Sequence, residues 1–174
     1  AISQTAGSIT VTTANLTAGT SISQSATGSI TATNTVAKAG ADLSLASNAN
    51  KLQNISVDAQ KGNVTIVSGN DAAGELNVQT VGVVGNDLTI TNVAKGEKNE
   101  IKVNKNLKAK GDITITNEEA AINVGQGASM SGANVTLTAA AEAIVVDGGN
   151  ITATSGNVNL TAENAVTMNN GSVS

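Results

Sequence analysis

Apolar and polar residues alternate with a period of two along most of the chain, and the alternation itself recurs. The clearest copy is Gly111-Asp112-Ile113-Thr114-Ile115-Thr116, which returns as Asn63-Val64-Thr65-Ile66, Asp87-Leu88-Thr89-Ile90-Thr91, Asn134-Val135-Thr136-Leu137-Thr138 and Asn157-Val158-Asn159-Leu160-Thr161. Looser copies are Asn15-Leu16-Thr17-Ala18 and Asp42-Leu43-Ser44-Leu45. A period of two sends successive side chains to opposite faces of a β-strand, so each copy predicts a short strand, A, with aliphatic residues inward and Thr or Ser outward. The first apolar positions are 16, 43, 64, 88, 113, 135 and 158, spaced 21 to 27 residues apart. Self-similarity near two dozen residues marks a solenoid, in which each repeat is one coil stacked on the last.

A second repeat sets the number of strands. Ile2-Ser3-Gln4-Thr5-Ala6-Gly7-Ser8-Ile9-Thr10 returns at Ile22 to Thr31. Combined with strand A, it predicts three strands per coil. Strand B is expected through Ile2, Ile22, Leu52, Leu76, Ile101, Ile122, Ile144 and Val166, and strand C through Ile9, Ile30, Val57, Val81, Leu107, Ala128, Ile151 and Val173. The fold class read from this pattern is all-β: a parallel β-helix (β-solenoid) with three short strands per coil and about seven to eight coils, forming a single segment over residues 1–174. With coils roughly 4.7–4.9 Å apart, the stack is on the order of 34 Å tall.

Gly, Asn and Asp gather between strands, as sharp corners require. The Asx before every strand A (Asn15, Asp42, Asn63, Asp87, Asp112, Asn134, Asn157) is expected to build a ladder up one edge. Three stretches break the regular step and predict loops: Thr35 to Gly40, Ser68 to Gly74 and Val93 to Glu100. Gln4, Gln24 and Asn54 fall in a column filled later by Val78, Val103, Val124, Val146 and Met168, which allows either a polar ladder inside or a local turn outward.

Composition narrows the class. The chain has no Phe, Trp, Tyr, Cys, Pro, His or Arg. A globular core leans on large aromatic groups to fill its volume, whereas a narrow coil stacked on itself needs only Ile, Leu, Val and Ala in columns. The phasing of these residues excludes a disordered low-complexity tail. A formal net charge of −4 argues against nucleic acid as a partner. No apolar run approaches the roughly 18 residues of a membrane span, so no membrane insertion of this segment is expected.

The inventory for catalysis is poor, and the expectation is a non-enzyme with no cofactor and no metal site. There is no His for general base work near neutral pH, no Cys nucleophile, and no Arg to clamp an anion. Asp87 and Asp112 fall at equivalent places in adjacent coils, the one pairing suited to the acid/base work of a β-helix polysaccharide hydrolase or lyase, but Asn fills the same slot elsewhere and marks it as a corner position. Val146-Asp147-Gly148-Gly149 resembles a calcium-binding repeat only in isolation. Two surfaces suit binding instead. Lys95, Lys98, Lys102, Lys105, Lys108 and Lys110 are six of the nine lysines and suggest a wall for an anionic glycan or lipid headgroup, diluted by Glu97 and Glu100. Outward Thr pairs (Thr89 and Thr91, Thr114 and Thr116, Thr136 and Thr138) suggest a flat array of the kind found in ice-binding solenoids, although Thr also favours strands for its β-branch. Seven Asn-x-Ser/Thr triplets, at Asn15, Asn54, Asn63, Asn134, Asn150, Asn159 and Asn170, arise automatically where a corner Asn precedes a β-branched strand.

At Gly132-Ala133-Asn134-Val135-Thr136-Leu137-Thr138-Ala139, and again from Gly148 to Ala162, the text resembles the haemagglutinin-type repeats of large exoproteins. These are filamentous-haemagglutinin-like adhesins and contact-dependent-inhibition effectors that Gram-negative bacteria export by two-partner secretion. The resemblance runs over essentially the whole chain and implies a right-handed parallel β-helix at the cell surface, a stalk presenting a distal adhesive or toxic module. It implies a secreted or surface location, with any host-cell receptor contacted by other regions. The chain begins inside one strand and stops inside another, so an interior slice of a longer rod is expected. Its partners would be neighbouring coils of the same chain or a copy stacked end to end.

Overall fold

The computed structural model describes residues 1–69 and 74–174, leaving out the side chains of residues 80, 81 and 83. It is a parallel β-solenoid of about eight turns. The first coil is β1 (Ile2–Gln4) and β2 (Gly7–Ala18), followed by β3 (Ile22–Gln24) with β4 (Gly28–Ala39), β5 (Leu43–Leu45) with β6 (Lys51–Ala59), and β7 (Val64–Ser68) with β8 (Leu76–Val84). Four three-stranded coils then follow. They are β9 (Leu88–Asn92), β10 (Ile101–Val103) and β11 (Leu107–Ala109); β12 (Ile113–Asn117), β13 (Ile122–Val124) and β14 (Ser129–Gly132); β15 (Val135–Ala139), β16 (Ile144–Asp147) and β17 (Asn150–Ala153); and β18 (Val158–Ala162), β19 (Val166–Asn169) and β20 (Ser172–Val173).

Face A is an eight-stranded parallel sheet in the order β1-β3-β5-β7-β9-β12-β15-β18. Its inward column runs Ile2, Ile22, Leu43, Val64, Leu88, Ile113, Val135 and Val158, each paired with the next. Faces B and C are separate from β9 onward but fused below it. β2, β4 and β6 are single strands that turn the B-to-C corner without breaking, and β8 pairs with β10 along one part and with β11 along another. The three faces expected from the sequence are therefore present, two of them joined into bent strands in the lower half.

This fusion rephases the lower coils. Ile2 and Ile22 belong to column A rather than B, and Leu16 lies in the bent strand, in register with Ala37 and Val57. Column B holds as expected from Leu76 through Ile101, Ile122 and Ile144 to Val166. Leu52, by contrast, sits beside Ala32, and the pairing of Asn54 with Asn77 leaves it one residue out of step with Leu76. In column C the partner of Leu107 and Ile151 is Met130, not Ala128, which is buried in the preceding turn. Thr35 to Gly40 is no loop either; all but its last residue lies in β4, paired on both sides. Residues 70–73 of the expected Ser68 to Gly74 loop lie outside the described residues.

The interior is one aliphatic cluster along the whole stack. Where the chain turns back towards face A the column shrinks to Ala18, Ala39, Ala59, Val84 and Ala109. Four of these five are Ala, small enough to let the corner close. At the two ends the interior opens: Ile9 and Val11 are 38% and 41% exposed at one, and Val166, Met168 and Val173 are 44%, 45% and 38% exposed at the other.

Candidate functional site

The Asx ladder exists from Asp42 to Asn157, and it explains the sequence phrase; Asn15, expected as its first rung, lies instead inside β2, in register with Val36. Asp42 Oδ1 accepts the Asn63 amide at 2.9 Å, Asn63 Oδ1 the Asp87 amide at 3.2 Å, and Asp87 Oδ1 the Asp112 amide at 2.8 Å. Asp112 Oδ1 accepts both the amide and the side-chain Nδ2 of Asn134, at 3.0 and 2.8 Å, and Asn134 Oδ1 accepts the Asn157 amide at 2.9 Å. Each rung thus satisfies a backbone donor that the corner leaves without a sheet partner. Glycine precedes several rungs because the carboxylate or amide below rises into its space. A Cβ on Gly111 would overlap Asp87 Oδ1, and one on Gly156 would overlap Asn134 Oδ1. Asp87 and Asp112 are therefore consecutive rungs, each engaged with the next coil's amide.

Inside the A-to-B corner runs a second, buried polar seam. Gln24 Nε2 donates to Gln4 Oε1 and to Asn50 Oδ1, at 2.9 and 2.8 Å, and Gln24 Oε1 accepts from Asn50 Nδ2 at 2.8 Å and from the Ser47 amide at 3.2 Å. Of the two readings open for Gln4 and Gln24, the inward ladder holds, but its third member is Asn50. Asn54 instead bonds Asn34 Oδ1 and the Thr33 carbonyl near the surface. Higher up, Ser68, Asn92 and Asn117 stack in register and buried. Asn92 donates to the Asn99 carbonyl at 2.7 Å, and Asn117 to the same carbonyl at 3.0 Å and to Ala121 O at 2.9 Å. The loop from Val93 to Glu100 is real and folds over this seam, with Asn99 buried and capping the Lys95 and Gly96 carbonyls. The buried Asn92 and Asn117 were missed in the sequence; the signal was Asn following Thr-Ile-Thr in two consecutive copies.

The lysine wall is uneven. Lys102 is hydrogen-bonded to Glu75 and lies 3.6 Å from Glu100, while Lys105, Lys108 and Lys110 are exposed. The Glu75 carboxylate holds the Lys102 ammonium above the ordinary lysine value; partial burial opposes this and Glu100 adds to it. Beside this pair an open concavity of about 610 Å³ is lined by Gln53, Asn54, Asn77, Glu97 and Lys98 among others.

Face A presents the Thr pairs in the expected two columns. Thr89, Thr114 and Thr136 are in register, as are Thr91, Thr116 and Thr138. No protein-family model, curated protein or solved structure matches the chain. Its reading rests on its own geometry. Among the described residues no group of three or more carboxylates is placed to hold a metal ion, and no helix is long and apolar enough to cross a membrane. Of the seven triplets, Asn15, Asn150, Asn159 and Asn170 are exposed, whereas Asn54, Asn63 and Asn134 are tied into ladders.

Proposed function

We propose that this chain is a shaft segment of a secreted or surface-anchored bacterial adhesin-like filament, a non-catalytic spacer whose role is reach and stiffness. The observation that carries the reading is the unbroken inward column from Ile2 to Val158, one apolar residue per coil, flanked by the Asx ladder. Each coil is held by its neighbours alone, so such a rod lengthens by adding coils without redesign of the rest. The resemblance of its repeats to haemagglutinin-type exoproteins supports the export setting.

Removal of one whole coil, Ile113 to Asn134, tests this. Face A would then join β9 to β15 in the same register, and small-angle scattering should show a folded particle shorter by roughly one inter-strand spacing of 4.7–4.9 Å. Removal of half that length should unfold it. A saturable glycan interaction of the segment lost on Lys-to-Ala change at 102, 105 and 108, or hydrolytic activity lost in Asp112→Asn, would overturn the spacer reading.

A further inference from the structure

We propose that face A is also an ice-binding surface, its ligand the ordered water of an ice plane. Thr89, Thr114 and Thr136 form one outward column and Thr91, Thr116 and Thr138 a second, in unbroken parallel register through three coils. Val67 and Asn159 mark where the pairs give way on either side. The rungs repeat at roughly 4.7–4.9 Å up the stack and, two residues apart, at roughly 6.7 Å along each strand. The result is a lattice with repeats in two directions, comparable to those of the oxygen lattice of ice.

All six Thr are partly exposed, and no hydroxyl among them has a hydrogen-bond partner among the described residues. Their β-branch restricts χ1, so the hydroxyl and methyl positions are nearly fixed and ordering them against a lattice costs little entropy. The array holds no charge; Asp87 and Asp112 stand at its margin, tied to the ladder. Protein partners are gripped through aromatic or Arg anchors, and crystalline polysaccharide through aromatic faces. The chain has no aromatic residue and no Arg. Water in a lattice needs neither, only hydroxyls and methyls at regular intervals.

Nanolitre osmometry and ice-recrystallisation assays on the 174-residue chain test the assignment, with Thr114→Lys at the array centre, Thr114→Ser removing only a methyl, and Val145→Lys at an outward position of β16 on another face. The wild type should shape growing ice and show thermal hysteresis. Thr114→Lys should lose most of it, Thr114→Ser part of it and Val145→Lys none, with circular dichroism showing the same fold in each. Unshaped ice with the folded wild type, or a folded Thr114→Lys that matches it, overturns the proposal. So does sedimentation with crystalline cellulose without any effect on ice, which would reassign the face to polysaccharide.

Discussion

Replacing Gly111 with Ala tests the idea that the Asx ladder, rather than backbone conformation, dictates where glycine stands. Gly111 does not have positive φ, so Ala is conformationally acceptable there and would by itself stabilise by about 0.4–1 kcal/mol through the unfolded chain. Its Cβ, however, falls on Asp87 Oδ1 and lies 3.1 Å from the Asn86 carbonyl carbon. Asp87 must swing away, which breaks its 2.8 Å bond to the Asp112 amide, a loss of roughly 1–1.5 kcal/mol at an exposed site. Residual crowding against Asn86 adds roughly 1–3 kcal/mol. A net cost of about 1–4 kcal/mol follows from these terms, read by urea unfolding at constant m. In an Asp87→Ala background the bond is already gone and only the crowding against Asn86 remains, so Gly111→Ala should cost about 1–1.5 kcal/mol less, a coupling of the size expected for residues in contact. An additive double mutant would show that the glycine is there for another reason.

Two further outcomes are expected. Gln24→Leu should destabilise by roughly 1–3 kcal/mol despite adding apolar volume, because the Ser47 amide loses its acceptor in the interior and Asn50 keeps only its bonds to Leu45 O, Val67 O and the Ile30 amide, and hydrogen exchange at Ser47 should accelerate. For Lys102 the folded-state pKa is raised, so the stability it supplies is complete below the unfolded value of about 10.4 and is lost as pH climbs through the folded one. The difference in melting temperature between wild type and Lys102→Met should therefore be constant from neutral pH upward and close only in that alkaline window; a gap that closes on acidification below neutral pH by Lys102 titration alone is ruled out by this sign.

The upper half of the solenoid was legible because its coils repeat one phrase at nearly one spacing. From Leu88 onward the Asx-apolar-Thr-apolar text marks face A, and the aliphatic residues after each corner mark face B. The lower half misled at Leu16, whose neighbours Asn15 and Thr17 copy the face A phrase while lying in a continuous bent strand. Spacing carried the correct answer: Ile2, Ile22, Leu43 and Val64 are 20 or 21 residues apart, a steadier step than the one from Leu16 to Leu43. Motif likeness competed with register, and register wins because a parallel ladder must pair every coil in turn. The buried Asn and Gln seam was only half legible, since an inward amide and an outward one have the same period-two signature until the partner that accepts it is known.

The seam also accounts for how a chain without large side chains fills a corner. In the coil of β15 the position in register with Asn92 and Asn117 is Ala139, fully buried, and the corner beyond it is short. In the coil of β9 the same corner carries the Val93 to Glu100 loop, and here the column holds Asn92, whose amide reaches the loop's Asn99 carbonyl. A longer excursion brings backbone carbonyls into the interior, and each needs a donor that Ala cannot supply. The corner after Asn117 is as short as the one after Ala139, so the amide there serves the preceding coil's loop at the Asn99 carbonyl as well as its own corner at Ala121 O. Asn117→Ala should for that reason be tolerated only if the Asn99 carbonyl keeps its bond from Asn92.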